Sequence, residues 1–196
     1  MANITYPGFQ PYRRSGGLRI GYRRARVLTN NTLAIGLNDA VIIDTNGDTL
    51  RASTTTTAVS SVSGGASFVD TNGVRVGAKS LPAATLYTST GNTPDNASFV
   101  FVVDNSLEVD YVATIIGSPT RGSMNKNVPF VAGAPSNGLS TQTLTLTGVN
   151  TTATLPFRIQ DFYEAADNDQ DVANPRVICK INAGMWEPAL SASAGT

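Results

Sequence analysis

Six arginines lie between Arg13 and Arg26, in the stretch PYRRSGGLRIGYRRARV, and no acidic residue precedes Asp39. Interleaved with Phe9, Tyr12 and Tyr22, these arginines have two chemistries open to them. They can contact phosphates while the rings stack on bases, or pair with carboxylates through the bidentate guanidinium fork. A membrane surface fits poorly, because Gly16, Gly17, Gly21, Pro7 and Pro11 spoil an amphipathic helix. The plainest alternative puts Arg19, Arg23 and Arg24 on the wet face of a first strand. Arginine density is low for a genome-binding arm, and no lysine occurs before Lys79. Contact with protein is therefore the reading adopted, carried by Tyr12, Arg13, Arg14, Arg19, Tyr22, Arg23, Arg24 and Arg26; nucleic acid is not expected as a partner.

The acids form two groups. Glu108 and Asp110, in LEVDY, fall on one strand face, as paired glycosidase carboxylates do, but lack the surrounding aromatics and further acids of such a cleft. A polar sheet face is expected there. Asp167, Asp169 and Asp171, in DNDQD, place oxygens at alternate positions like the opening of a calcium loop. In that register the required glycine falls on Val172 and the bidentate glutamate on Ile178, so a solvated acidic loop is predicted. The chain contains no histidine, which removes Ser-His-Asp and Cys-His nucleophilic sites and histidine-ligated zinc. The single cysteine, Cys179, lies on the apolar side of RVICKIN and reads as a buried thiol. GLRIGYR lacks the glycine spacing of a phosphate cradle. No catalytic residue, cofactor or metal is expected.

Period-two alternation supplies the elements that hold these residues. LRIGYRRARVL (18–28), AVIID (40–44), SFVFVVD (98–104), YVATII (111–116), TQTLTLTGV (141–149), TATLPFRIQDF and PRVICKIN all read as strands. Asn46-Gly47, Asn72-Gly73 and Asn137-Gly138 supply hairpin turns. ASTTTTAVSSVSGGAS (52–67) is low in complexity and reads as a loop or an exposed edge strand, and DFYEAADNDQ (161–170) is the one plausible helical turn. The pattern predicts an all-β fold with a β-sandwich or jelly-roll-like body over 18–186. An extended basic N-terminal arm over 1–17 precedes it, and a C-terminal tail over 187–196 follows.

Charge is divided between these parts. Residues 1–38 hold six of the fourteen basic residues, so the remainder carries eight basic against fourteen acidic, a balance of −6. The charged fraction of 14% is low against about a quarter in typical domains, and small neutral polar residues make up the difference. Such a surface is cheap to desolvate and suits broad protein contact. No segment has the length of apolar sequence a membrane span needs, and MANITYPGFQPYRR lacks the apolar centre of a signal peptide. Cytoplasmic synthesis is the expectation.

The C-terminal half, STQTLTLTGVNTTATLPFRIQDFYEAADNDQDVANPRVICKIN, resembles the small structural proteins that decorate or cement the capsids of tailed bacteriophages. The likeness covers roughly residues 139–182 and rests on the Thr/Leu strand, LPFRIQDFYE, the polar DNDQDVANP loop and the closing RVICKIN strand. It implies an all-β body on the capsid surface of the virion, bound to the major capsid protein and to itself, often as a trimer, with arms gripping neighbours. Two other readings remain open: the jelly-roll coat protein of a small icosahedral virus with a genome-facing arm, and a tail or vertex component.

Overall fold

The computed structural model describes residues 7–27, 33–43, 49–53, 58–69, 72–83, 98–151 and 153–182. Among these, nearly every regular element is a strand, and two sheets pack against each other in an all-β sandwich. The first sheet is organised around β8 (Val109–Ile116). On one side β8 pairs antiparallel with β13 (Arg176–Ile181), which continues to β12 (Phe157–Phe162) and β9 (Asn127–Val128). Its other side is shared. The first half pairs antiparallel with β1 (Gln10–Arg14), and the last residues pair in parallel with β11 (Thr143–Thr145), followed by β10 (Phe130–Val131).

The second sheet runs β2 (Tyr22–Arg26), β7 (Phe99–Val103), β5 (Ser61–Val69), β3 (Ala40–Ile43) and β4 (Thr49–Arg51), with β6 (Arg75–Ala78) also on β5. Its apolar runs are continuous because both faces are covered over part of the sheet. Ala40, Val62 and Val103 face the first sheet, whereas Val41, Ala66, Phe68, Val100 and Val102 join Ile35 and Leu81 in a smaller core on the reverse face. Gln142 links the two sheets from a fully buried position: its Oε1 accepts the Ala40 N–H at 2.7 Å and its Nε2 donates to the Ala52 carbonyl at 3.0 Å.

Three sequence expectations change. Ser61–Val69, which begins in the low-complexity stretch (52–67) read as a loop or edge strand, is an interior strand flanked by β3, β6 and β7. Its small residues are what the position requires: the Tyr22 ring lies so close to Gly64 that a Cβ there would collide with it. The 161–170 segment forms no helix; its first residues complete β12 and the rest are turns. Residues 10–14, assigned to the arm, are extended and hydrogen-bonded into the first sheet as β1. The Asn137-Gly138 turn is as predicted, with φ of 51° and 77° and a two-residue hairpin closed by Ser136 and Leu139. Asn46-Gly47 and the C-terminal tail lie outside the described residues.

Phe9 explains why the N-terminal segment is held. It is fully buried, stacked on Phe157 at 4.2 Å between centroids and edge-on to Phe130 at 6.2 Å. Aromatic pairs in these geometries add to the burial of large apolar area. Backbone bonding supports the insertion, since the Phe9 N–H donates to the Asn38 carbonyl at 3.0 Å. Phe9→Ala should destabilise the protein by about 3–5 kcal/mol, the usual loss for a buried phenylalanine. Urea unfolding checks this, and an unchanged midpoint would show that the ring does not belong to the core.

Candidate protein-interaction surface

The eight candidate residues do not form one patch. Tyr12, Arg13 and Arg14 belong to the first sheet, and Tyr22, Arg23, Arg24 and Arg26 to the second, with exposed Arg19 in the segment between β1 and β2. On β1 the arginines meet carboxylates of the same chain. Arg13 Nε donates to Asp110 Oδ2 at 2.5 Å, and Arg14 donates to Glu108 Oε2 through Nε at 3.0 Å and Nη2 at 2.8 Å. The pair Glu108 and Asp110, read as a polar sheet face, is thus the acceptor for both arginines of the segment's first cluster. Lys180 Nζ adds a second cation 3.4 Å from Asp110 Oδ1, a charge contact that does not satisfy that oxygen's hydrogen bonding. The hydrogen bond Arg13 donates to Asp110, reinforced by the carboxylate's charge, pushes the Arg13 guanidinium pKa still higher. Tyr12 is exposed, edge-on to Tyr163 at 5.4 Å, with the Arg13 guanidinium 5.7 Å from its ring centroid.

Strand alternation divides β2 between two faces. Ala25 points into the smaller core, while Tyr22, Arg24 and Arg26 stand exposed on the other face, opposite Val103, Phe101 and Phe99 of β7. Burial raises the Tyr22 hydroxyl pKa even though half of the residue is in solvent. Near Phe99 a residue that sequence reasoning missed comes in from β6: Arg75. The guanidiniums of Arg24 and Arg75 each lie 5.6 Å from the Phe99 ring centroid. Nothing in the sequence spacing connects positions 24, 75 and 99; only the order β2-β7-β5-β6 brings them together. Arg23, with Asp104, Asn105 and Glu108, lines a cleft of about 240 Å³, below the ~300–1,000 Å³ usual for small-molecule sites.

Asp167 and Cys179, the other groups singled out from the sequence, are held structurally. Arg176 is fully buried beneath the 163–175 loop, its guanidinium paired with Asp167 and 5.3 Å from the Tyr163 ring centroid. Asn168 clips the same loop down: its Oδ1 accepts the Arg176 N–H at 2.7 Å, and its Nδ2 donates to the Tyr163 and Arg176 carbonyls. The hydrogen bond from Arg176 lowers the Asp167 pKa. DNDQDVANP is therefore a strap over the outer face of β13, with Glu164, Asp169 and Asp171 left exposed. Burial pushes the Cys179 thiol pKa well up, away from reactivity. Among the described residues no group of three or more His, Cys, Asp or Glu side chains is placed to hold a metal.

Compared with protein-family models, with curated proteins and with solved structures, the chain matches none. The surface must be read from its own residues.

Asp110 is nearly buried and serves two cations, whereas the Arg13 side chain is 62% exposed. Asp110→Ala should therefore lower stability more than Arg13→Ser, whose loss should stay within the ~0.2–1 kcal/mol of an exposed ion pair. A double-mutant cycle in urea should give a positive coupling between the two positions. Strict additivity would mean that the arginine does not hold β1 against β8.

Proposed function

We propose that the protein is a structural component of a tailed-phage virion, a decoration or cement protein that binds the major capsid protein and acts by binding rather than catalysis. The resemblance over residues 139–182 supports this reading. The structural observation that carries it is the exposed arginine–aromatic face on β2, the terminal strand of the second sheet, where Tyr22, Arg24 and Arg26 stand beside Phe99 and Phe101. Such a face offers bidentate donors on a rigid β scaffold, the arrangement that fits acidic protein surfaces. Copies assembled as a trimer would bind multivalently, so each contact need only be modest.

Arg13 and Arg14 take a different role in this proposal from the one expected of an arm. They hold β1 in place, and attachment falls to Arg19, Arg23, Arg24 and Arg26. The test is the copy number in purified virions, by quantitative mass spectrometry against the major coat protein. A ratio set by the capsid lattice is expected. A handful of copies per particle would move the protein to a vertex or tail, and absence from particles would overturn the capsid role.

A further inference from the structure

We propose that Asp39 is a proton-operated latch that sets how tightly the 7–9 segment is seated on the sandwich. This inference goes beyond the capsid role and is independent of it. Asp39 immediately precedes β3, fully buried, and closes the 36–39 turn. Its N–H donates to the Gly36 carbonyl at 3.2 Å, and Asn38 takes a left-handed φ of 68° inside the turn. Three other pieces of chain meet here. Leu37 exchanges backbone bonds with Gly138 and Ser140 of the hairpin, and Asn38 and Asp39 exchange theirs with Ser63 of β5. The N-terminal segment hangs on the same turn: the Asn38 carbonyl accepts the Phe9 N–H at 3.0 Å, and Asn38 Nδ2 donates to the Pro7 carbonyl at 3.2 Å. Gly8 lies so close to Asn38 and Ser140 that a Cβ there would collide with both.

The Asp39 carboxyl braces this turn from inside. Its Oδ2 accepts the Gly36 N–H at 2.6 Å and the Ser140 hydroxyl also donates to the group, while Oδ1 has no hydrogen-bond partner. Among the described residues, Arg51 of β4 is the charge that acts on the carboxyl, and its own Nε is buried without a partner. Segments 7–9, 61–63 and 136–140 and strand β3 bring no titratable side chain. An ionised carboxylate shut away with one bare oxygen is costly. Opening the turn admits water to Oδ1 and gives up the Asn38 contacts that seat Phe9. Ionisation therefore loosens the joint, and protonation closes it.

Burial pushes the Asp39 pKa up to about 6, and the hydrogen bonds from Ser140 and Gly36 and the charge of Arg51 offset only part of that rise. Once opened to water the group returns toward its ordinary 3.8. The closed joint thus binds the proton more tightly. The latch is fully engaged below pH 3.8 and is released as pH rises through about 6. The 163–175 strap has the opposite sign, because the hydrogen bond from Arg176 lowers the Asp167 pKa and that contribution is lost as pH falls. Global unfolding mixes the two, whereas a local probe separates them.

Amide hydrogen exchange by NMR on the whole chain, corrected for the intrinsic rate at each pH, tests the latch together with the carboxyl carbon shift of Asp39. The Phe9 and Gly36 amides should be about tenfold more protected at pH 5 than at pH 8. Their protection should fall with the same midpoint as the Asp39 carboxyl titration. In D39N, which keeps an acceptor for the Gly36 N–H but carries no charge, protection should be equal at the two pH values. Amides paired between β12 and β13 serve as the reference and should not follow that midpoint. Equal protection of Phe9 at both pH values in the parent would overturn the latch, as would a tenfold change that persists in D39N. An Asp39 carboxyl titrating below pH 5 would also overturn it, and so would reference amides moving in step with Phe9. If D39N does not fold, the parent decides alone: coincident midpoints support the latch and separate ones overturn it.

Discussion

A carboxylate taken out of water needs a cation beside it, and Asp110 is the carboxylate on which this fold closes. It lies on β8, the strand around which the first sheet is organised, and it draws Arg13 from β1 and Lys180 from β13 to the same spot. An uncompensated charge at this depth would cost more than either ion pair returns. The N-terminal segment is thereby committed to the sheet from one side, while Phe9 commits it from the other by entering the aromatic cluster with Phe130 and Phe157. Polar and apolar anchors four residues apart act on the same short stretch of chain.

That commitment resolves the charge asymmetry. Six arginines with no nearby acid in sequence look like a basic arm and first strand turned to a neighbour, but Arg13 and Arg14 find their acids about a hundred residues away, on and just before β8. What the chain presents outward is a smaller and more localised positive surface, moved from the N-terminal segment to β2 and β6. Likewise the acidic loop is divided. Asp167 is paired to buried Arg176, and Glu164, Asp169 and Asp171 are held at the surface of a strap that Asn168 fixes in position.

The strands were legible because alternation is a local property: YVATII, LPFRIQDF and PRVICKIN each show which residues face the core. Ser61–Val69 escaped notice because burial there depends on smallness. Serine hydroxyls bond to backbone carbonyls, as Ser61 Oγ does to the Val103 carbonyl at 2.8 Å, and Gly64 makes room for Tyr22. No hydrophobic period marks such a strand. Phe9 reads from the sequence as a stacking residue among the arginines, since nothing in its neighbourhood announces a core position. The candidate surface was legible by half. Composition and spacing single out Tyr22, Arg24 and Arg26, but Arg75 and Phe99 join them only through sheet order, and the pairing of Arg13 and Arg14 within the chain is a long-range fact that spacing does not contain.

The placing of charge on this fold depends most directly on the N-terminal segment being a built-in strand rather than a mobile arm. Amide hydrogen exchange across residues 10–14, measured against Val109–Val112, tests this. Protection at β1 comparable to that of its β8 partner is predicted. Exchange at the rate of unstructured chain over 10–14, with β8 still protected, would contradict it and return Arg13 and Arg14 to a free arm.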